Sequence, residues 1–166
     1  VGATDCTTAF WGAHSETWAV AEGETVTKTF VNWHGAEAAN WNNFVVILQN
    51  VADAHSADDN ADYVEYGVVR ADNYGWKGAL NPHANNDQLK WVLESNWNWD
   101  VFKSSINLSN VTITVTNNGD GTADIRYVVI YPDGEEHFQN YLGIKVNSAD
   151  LQAALVTEGS YLVLYE

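Results

Sequence analysis

Residues 111–131 read VTITVTNNGDGTADIRYVVIY, and this stretch decides the fold. Residues 111–116 and 122–131 alternate small polar and β-branched or aromatic residues, the period of a half-buried strand. Between them lies Asn117-Asn118-Gly119-Asp120-Gly121, whose Asn and Gly residues accept positive φ. Next comes Tyr131-Pro132-Asp133-Gly134-Glu135, with Pro at the second position of a type I turn and Gly where a bulge needs it. Two linked antiparallel hairpins follow, the last strand running over residues 135–142 (EEHFQNYL).

Working outward, the same texture covers the chain. Residues 25–33 (TVTKTFVNW) alternate with period two, and residues 43–51 (NFVVILQNV) form a nearly continuous apolar run, as in a strand buried on both faces. Residues 63–71 (YVEYGVVRA) and 160–165 (SYLVLY) are further strands. Helix signals are confined to residues 98–106 and to 148–155, where Ser148-Ala149-Asp150 resembles a helix start. Many short strands with turn residues between them predict an all-β antiparallel sandwich of jelly-roll type, with one or two short helical segments. Residues 1–166 carry no linker or repeat and are expected to form a single domain.

Composition excludes several functions. The 22 acidic residues against 7 basic ones give a net charge of −15, which repels phosphate backbones and disfavours nucleic acid. No apolar run approaches the roughly 18 residues of a membrane span. With 46% hydrophobic and 17% charged residues the chain is not a disordered acidic tail. Cys6 is the single cysteine, so no internal disulfide can form. The N-terminus carries no leader pattern, and the chain is expected to be a mature form or a module of something longer.

Catalytic signatures are sparse. The five His are scattered without zinc spacing, and neither a nucleophile elbow nor a phosphate loop occurs. Glu65, Asp72, Glu94 and Asp100 lie near aromatic segments and are the carboxylates a glycosidase would need, although Arg70 and Arg126 offer them plain ion-pair partners. Residues 53–62 (DAHSADDNAD) hold hard oxygen ligands, but their spacing does not match an EF-hand, which needs a Gly after the first carboxylates and a distant Glu. Any calcium there is expected to be structural, and no other cofactor is called for.

Aromatic rings set among amides are abundant: 8 Trp, 8 Tyr and 5 Phe, clustered at Trp41 with Asn40, Asn42 and Asn43, at Trp76, and at Trp97 and Trp99. A sugar offers apolar C–H faces and a hydroxyl rim, and its receptor is a ring flanked by amides. Counting by twos along residues 41–49 puts Phe44, Val46 and Leu48 on a core face. It puts Trp41, Asn43, Val45, Ile47 and Gln49 on the other, a candidate binding face. Across the second hairpin, Tyr127, Val129 and Tyr131 share a face with His137, Gln139 and Tyr141, again a candidate binding face. Val128, Ile130, Phe138 and Leu142 would then be core. Trp99 is expected in the core and Trp76 in an exposed loop.

The succession FVNW…NWNNFVVILQN…EYGVVRADNYGW…NWNWDVF…VTITVTNNGDGTADIRYVV resembles bacterial non-catalytic carbohydrate-binding modules, of the family 65 type. The resemblance is one of pattern and spans nearly the whole chain. It implies a β-jelly roll appended to a secreted plant-cell-wall hydrolase, binding β-glucan, with xyloglucan favoured, in a cleft lined by Trp, Tyr and Gln. The expected ligand contacts are Trp41, Asn43, Gln49, Trp76, Trp97, Tyr127, His137, Gln139 and Tyr141. The expected partner is a neutral plant polysaccharide, the location extracellular or on the cell surface, and the module monomeric. A small hydrolase or polysaccharide lyase on the same scaffold, or a surface adhesin, is the alternative.

Overall fold

A computed structural model describes residues 3–4, 13–33, 43–54, 56–70, 107–158 and 161–165. Among these residues lie eleven strands and no helix. They are β1 (Ala3–Thr4), β2 (Ala13–His14), β3 (Trp18–Ala19), β4 (Thr25–Trp33), β5 (Asn43–Gln49), β6 (Glu65–Arg70), β7 (Ser109–Asn117), β8 (Thr122–Ile130), β9 (Glu136–Lys145), β10 (Gln152–Glu158) and β11 (Tyr161–Tyr165). One six-stranded sheet runs β1-β11-β4-β7-β8-β9, and a five-stranded sheet runs β2-β10-β5-β6 with β3 also on β10. Every recorded pairing is antiparallel, and the architecture is a β-sandwich.

The deciding hairpins form as their turn residues demand. Gly119 and Gly121 adopt φ of 76° and 84°, and Asn118 N donates to Thr122 O at 3.0 Å. In the next turn Gly134 (φ 90°) donates to Tyr131 O at 2.9 Å while Tyr131 N donates to Glu135 O at 2.8 Å. A type I turn closed by a left-handed glycine is the geometry of a bulged hairpin.

Between the sheets, rings from both meet in one core. Phe30 of β4 packs edge-on against Phe44 of β5 at 5.4 Å, and Phe44 packs edge-on against Tyr127 of β8, also at 5.4 Å. Val46, Leu48, Val111, Ile113, Val115, Ile125 and Leu155 fill the space around them. The alternate residues Val45, Ile47, Val68 and Val156 form a second buried cluster, so β5 is buried on both faces, as its unbroken apolar run predicts.

One joint is polar. Asn117, fully buried at the end of β7, donates through Nδ2 to Val20 O at 2.8 Å and Ser148 O at 2.7 Å. Its Oδ1 accepts from Gly119 N at 3.1 Å. One side chain thereby ties the turn before β4, the β7–β8 turn and the turn before β10.

The segment 148–155 corrects an expectation. Residues 148–150 form a turn, and the chain then enters strand β10. Ser148 does not cap a helix; its Oγ accepts from Gly121 N at 2.8 Å across the sandwich end. Ala153, Ala154, Leu155 and Val156 are all buried between β5 and the short strands β2 and β3, and such two-sided burial outweighs the helical preference of Ala and Leu. The other helix expectation, residues 98–106, lies outside the described residues.

Candidate functional site

Tyr127 and Tyr141 stand on adjoining strands with ring centroids 6.3 Å apart, and register places Gln139 opposite Tyr127 and His137 opposite Val129. The shared-face grouping expected for the second hairpin is therefore the one the backbone makes. Its direction is inverted. Tyr127 and Tyr141 are 0% exposed and belong to the inter-sheet core, so neither ring meets solvent or a surface ligand. The reason is electrostatic. Asp124 and Arg126 alternate with Ile125 and Tyr127, and burying that carboxylate and guanidinium would cost far more than exposing apolar neighbours. The charged pair turns the whole 124–130 even-numbered face outward, carrying Val128 and Ile130 with it. That charge was the sequence signal for the direction of the strand.

Gln49 is also interior. It is buried at the end of β5, where Nε2 donates to Val51 O and Ala54 O, both at 2.7 Å. Its amide folds the loop after β5 and is committed to backbone. Asn43 opens β5 opposite Glu158, about 20 Å from Gln49 along the strand, so the two do not share one contact point. The side chains of Asn43, His137 and Gln139 lie outside the described set, as do Trp41, Trp76, Trp97 and Trp99 altogether.

The face that does meet solvent is the outer surface of β4, β7, β8 and β9. Register aligns it in rows: Thr27, Thr114, Arg126 and Asn140 in one, Thr29, Thr112, Val128 and Phe138 in the next. Thr25–Thr116, Thr27–Thr114 and Thr29–Thr112 form hydroxyl pairs at 2.9, 3.2 and 3.3 Å, a cross-strand ladder that keeps the β4–β7 strip polar. Towards β9 the surface becomes apolar. Phe138 is 54%, Leu142 58% and Ile130 38% exposed, although all three were expected in the core. The Arg126 guanidinium lies 5.4 Å from the Phe138 ring centroid, within cation–π range, and Asn140 stands opposite Arg126. A half-exposed ring beside a guanidinium and an amide can stack on a sugar face and hydrogen-bond its rim. Sequence reasoning missed these residues because it took their strand face for core.

A carboxylate site is less developed. Glu65 opens β6, and Tyr63 Oη donates to its Oε2 at 3.3 Å. Burial raises the Glu65 carboxyl above its usual range, with the Tyr63 hydrogen bond acting in the other direction. Asp72, Glu94 and Asp100 lie outside the described residues. In the acidic loop, Asp62 N donates to Asn60 Oδ1 and Asp58 N to Ser56 Oγ, so these polar side chains satisfy the loop's own backbone. Among the described residues, no three His, Cys, Asp or Glu side chains converge on a point where a metal would sit. Compared with models of known protein families and with curated protein sequences, the chain matches none.

Proposed function

We propose that this chain is a non-catalytic β-glycan-binding domain, with neutral plant cell-wall β-glucan as ligand class and xyloglucan favoured, and that the outer face of β8 and β9 contributes to its contact surface. The observation that carries the reading is the half-exposed Phe138 ring beneath the Arg126 guanidinium, with Asn140 opposite Arg126 on the same outer face. Stacking of a sugar ring on Phe138 hides apolar surface on both partners, while Arg126 and Asn140 donate to hydroxyls. The aromatic–amide clusters of the sequence at Trp41, Trp76 and Trp97 supply further rings. A charge of −15 suits a neutral glycan better than an anionic one. Such a domain would hold a secreted hydrolase against its polysaccharide.

Affinity electrophoresis through gels of xyloglucan, mixed-linkage glucan, glucomannan, xylan and pectin tests this. Retardation by a β-glucan is expected, with affinity roughly micromolar to millimolar because a shallow face hides limited area. Phe138→Ala should weaken it. Migration unaffected by every glycan overturns binding, and reducing sugar released above blank overturns the non-catalytic assignment.

A further inference from the structure

β9 is the last strand of the six-stranded sheet, ten residues long, and among the described residues no strand pairs with its far side. A long edge strand offers unpaired backbone donors and acceptors to another chain unless charge, proline or a bulge blunts it. β9 has no proline; its single bulge lies near the C-terminal end, its exposed charges are one acid and one base, Glu136 and Lys145, and it carries two of the five exposed large hydrophobics among the described residues, Phe138 and Leu142. Its outward-facing residues are Glu136, Phe138, Asn140 and Leu142, and beyond the bulge Lys145. The bulge sets Leu142 and Gly143 together against Asp124, with Gly143 at φ 67° donating to Asp124 Oδ1 at 2.8 Å.

We infer that this edge is a self-association surface, on which β9 of a second copy pairs antiparallel about a two-fold axis at Asn140. With that centre Phe138 stands opposite Leu142 of the other copy, twice, and the four side chains form one apolar cluster. The extra residue at the bulge then brings Glu136 opposite Lys145 of the other copy, again twice. Centring on Phe138 instead sets that ring against itself and Glu136 against Asn140, and loses both complementary pairs. Glu136 and Lys145 stand near opposite ends of β9, both exposed, so an antiparallel pairing can bring the two signs together twice. The pairing is isologous and closes at two copies, giving a dimer with no free β9 edge. It departs from the monomer expected from the sequence, and it rests on the edge alone, independent of any glycan.

Sedimentation velocity of the whole chain over a wide concentration range, at fixed ionic strength and without polysaccharide, tests the dimer. The wild type should show a concentration-dependent monomer–dimer equilibrium. Glu136→Lys and Lys145→Glu, both at exposed positions, should each weaken it roughly tenfold by placing like charges opposite one another twice. The double variant should recover wild-type association, which a merely destabilised fold would not do. Leu142→Lys should abolish it. A wild type that stays monomeric at its highest soluble concentration overturns the inference. So does a dimer indifferent to both charge reversals.

Discussion

The Phe44 ring stands edge-on to the Tyr127 ring, centroids 5.4 Å apart and planes at 89°, so a strand from each sheet is keyed to the other through one aromatic contact. Tyr127 in turn lies 6.3 Å from Tyr141, and Phe44 touches Phe30, so four rings cross the sandwich in a continuous file. This file belongs to the packing of the fold. The surface available to a ligand on this sheet is on the opposite side of the same strands.

Ring removal should therefore have opposite consequences on the two faces. Tyr127→Ala should destabilise the domain by about 3–5 kcal/mol, the cost of losing a buried aromatic. Phe138→Ala should move stability by no more than about 0.5 kcal/mol, as exposed substitutions do. Urea denaturation of the two variants measures both. Equal losses would mean that Phe138 is packed as deeply as Tyr127.

Asn117 should be intolerant of change. Replacing it by Ala leaves the Val20 and Ser148 carbonyls without their buried donor, which should cost about 2–4 kcal/mol. Asn117→Asp should be at least as damaging at neutral pH, because a carboxylate would face two carbonyl oxygens. A urea midpoint unchanged in both variants would show that the joint is dispensable.

Glu65 gives the fold a pH dependence with a definite sign. Burial raises its carboxyl in the folded chain above the unfolded value, so the folded state binds the proton more tightly. The stabilisation from that proton is fully present below the unfolded value and is lost as pH rises through the folded one. Glu65→Gln removes the charge and keeps an oxygen to accept from Tyr63. The variant should melt higher than wild type at neutral pH, and the difference should vanish in acid. Melting temperatures from pH 3 to 8 would follow it; a deficit for the variant at neutral pH would show that the ionised carboxylate is needed.

How far the sequence could be read depends on which residues carried a one-sided signal. The hairpins were legible because Gly119, Gly121 and Gly134 stand where the backbone needs positive φ. The β5 run was legible because five successive residues, Phe44 to Leu48, are apolar and all are buried. Face direction in β8 and β9 was harder. Both faces carry rings, and only Asp124 and Arg126 on one side break the tie. β10 misled because Ala and Leu suit a helix in isolation, and burial on both sides is a property of neighbours that local sequence does not contain. Gln49 resembled a ligand contact because an amide that binds sugar and one that binds a loop carbonyl have the same chemistry.

Leu108 offers the sharpest backbone test. It adopts φ 62° although it is neither Gly nor Asn, its side chain is 53% exposed, and its N donates to Asn32 O at 2.7 Å. The left-handed conformation brings a Cβ too close to the following carbonyl and costs about 1–2 kcal/mol for an ordinary residue. The compact turn into β7 holds Leu108 there. Glycine removes that cost but adds freedom to the unfolded chain, which returns roughly half of the gain. Leu108→Gly should therefore stabilise the domain by about 0.5–1 kcal/mol, and Leu108→Ala, which keeps the Cβ, should not. Thermal melts of the two variants separate backbone strain from side-chain packing. If both lose stability together, the exposed isobutyl group makes a contact that matters more than the φ angle.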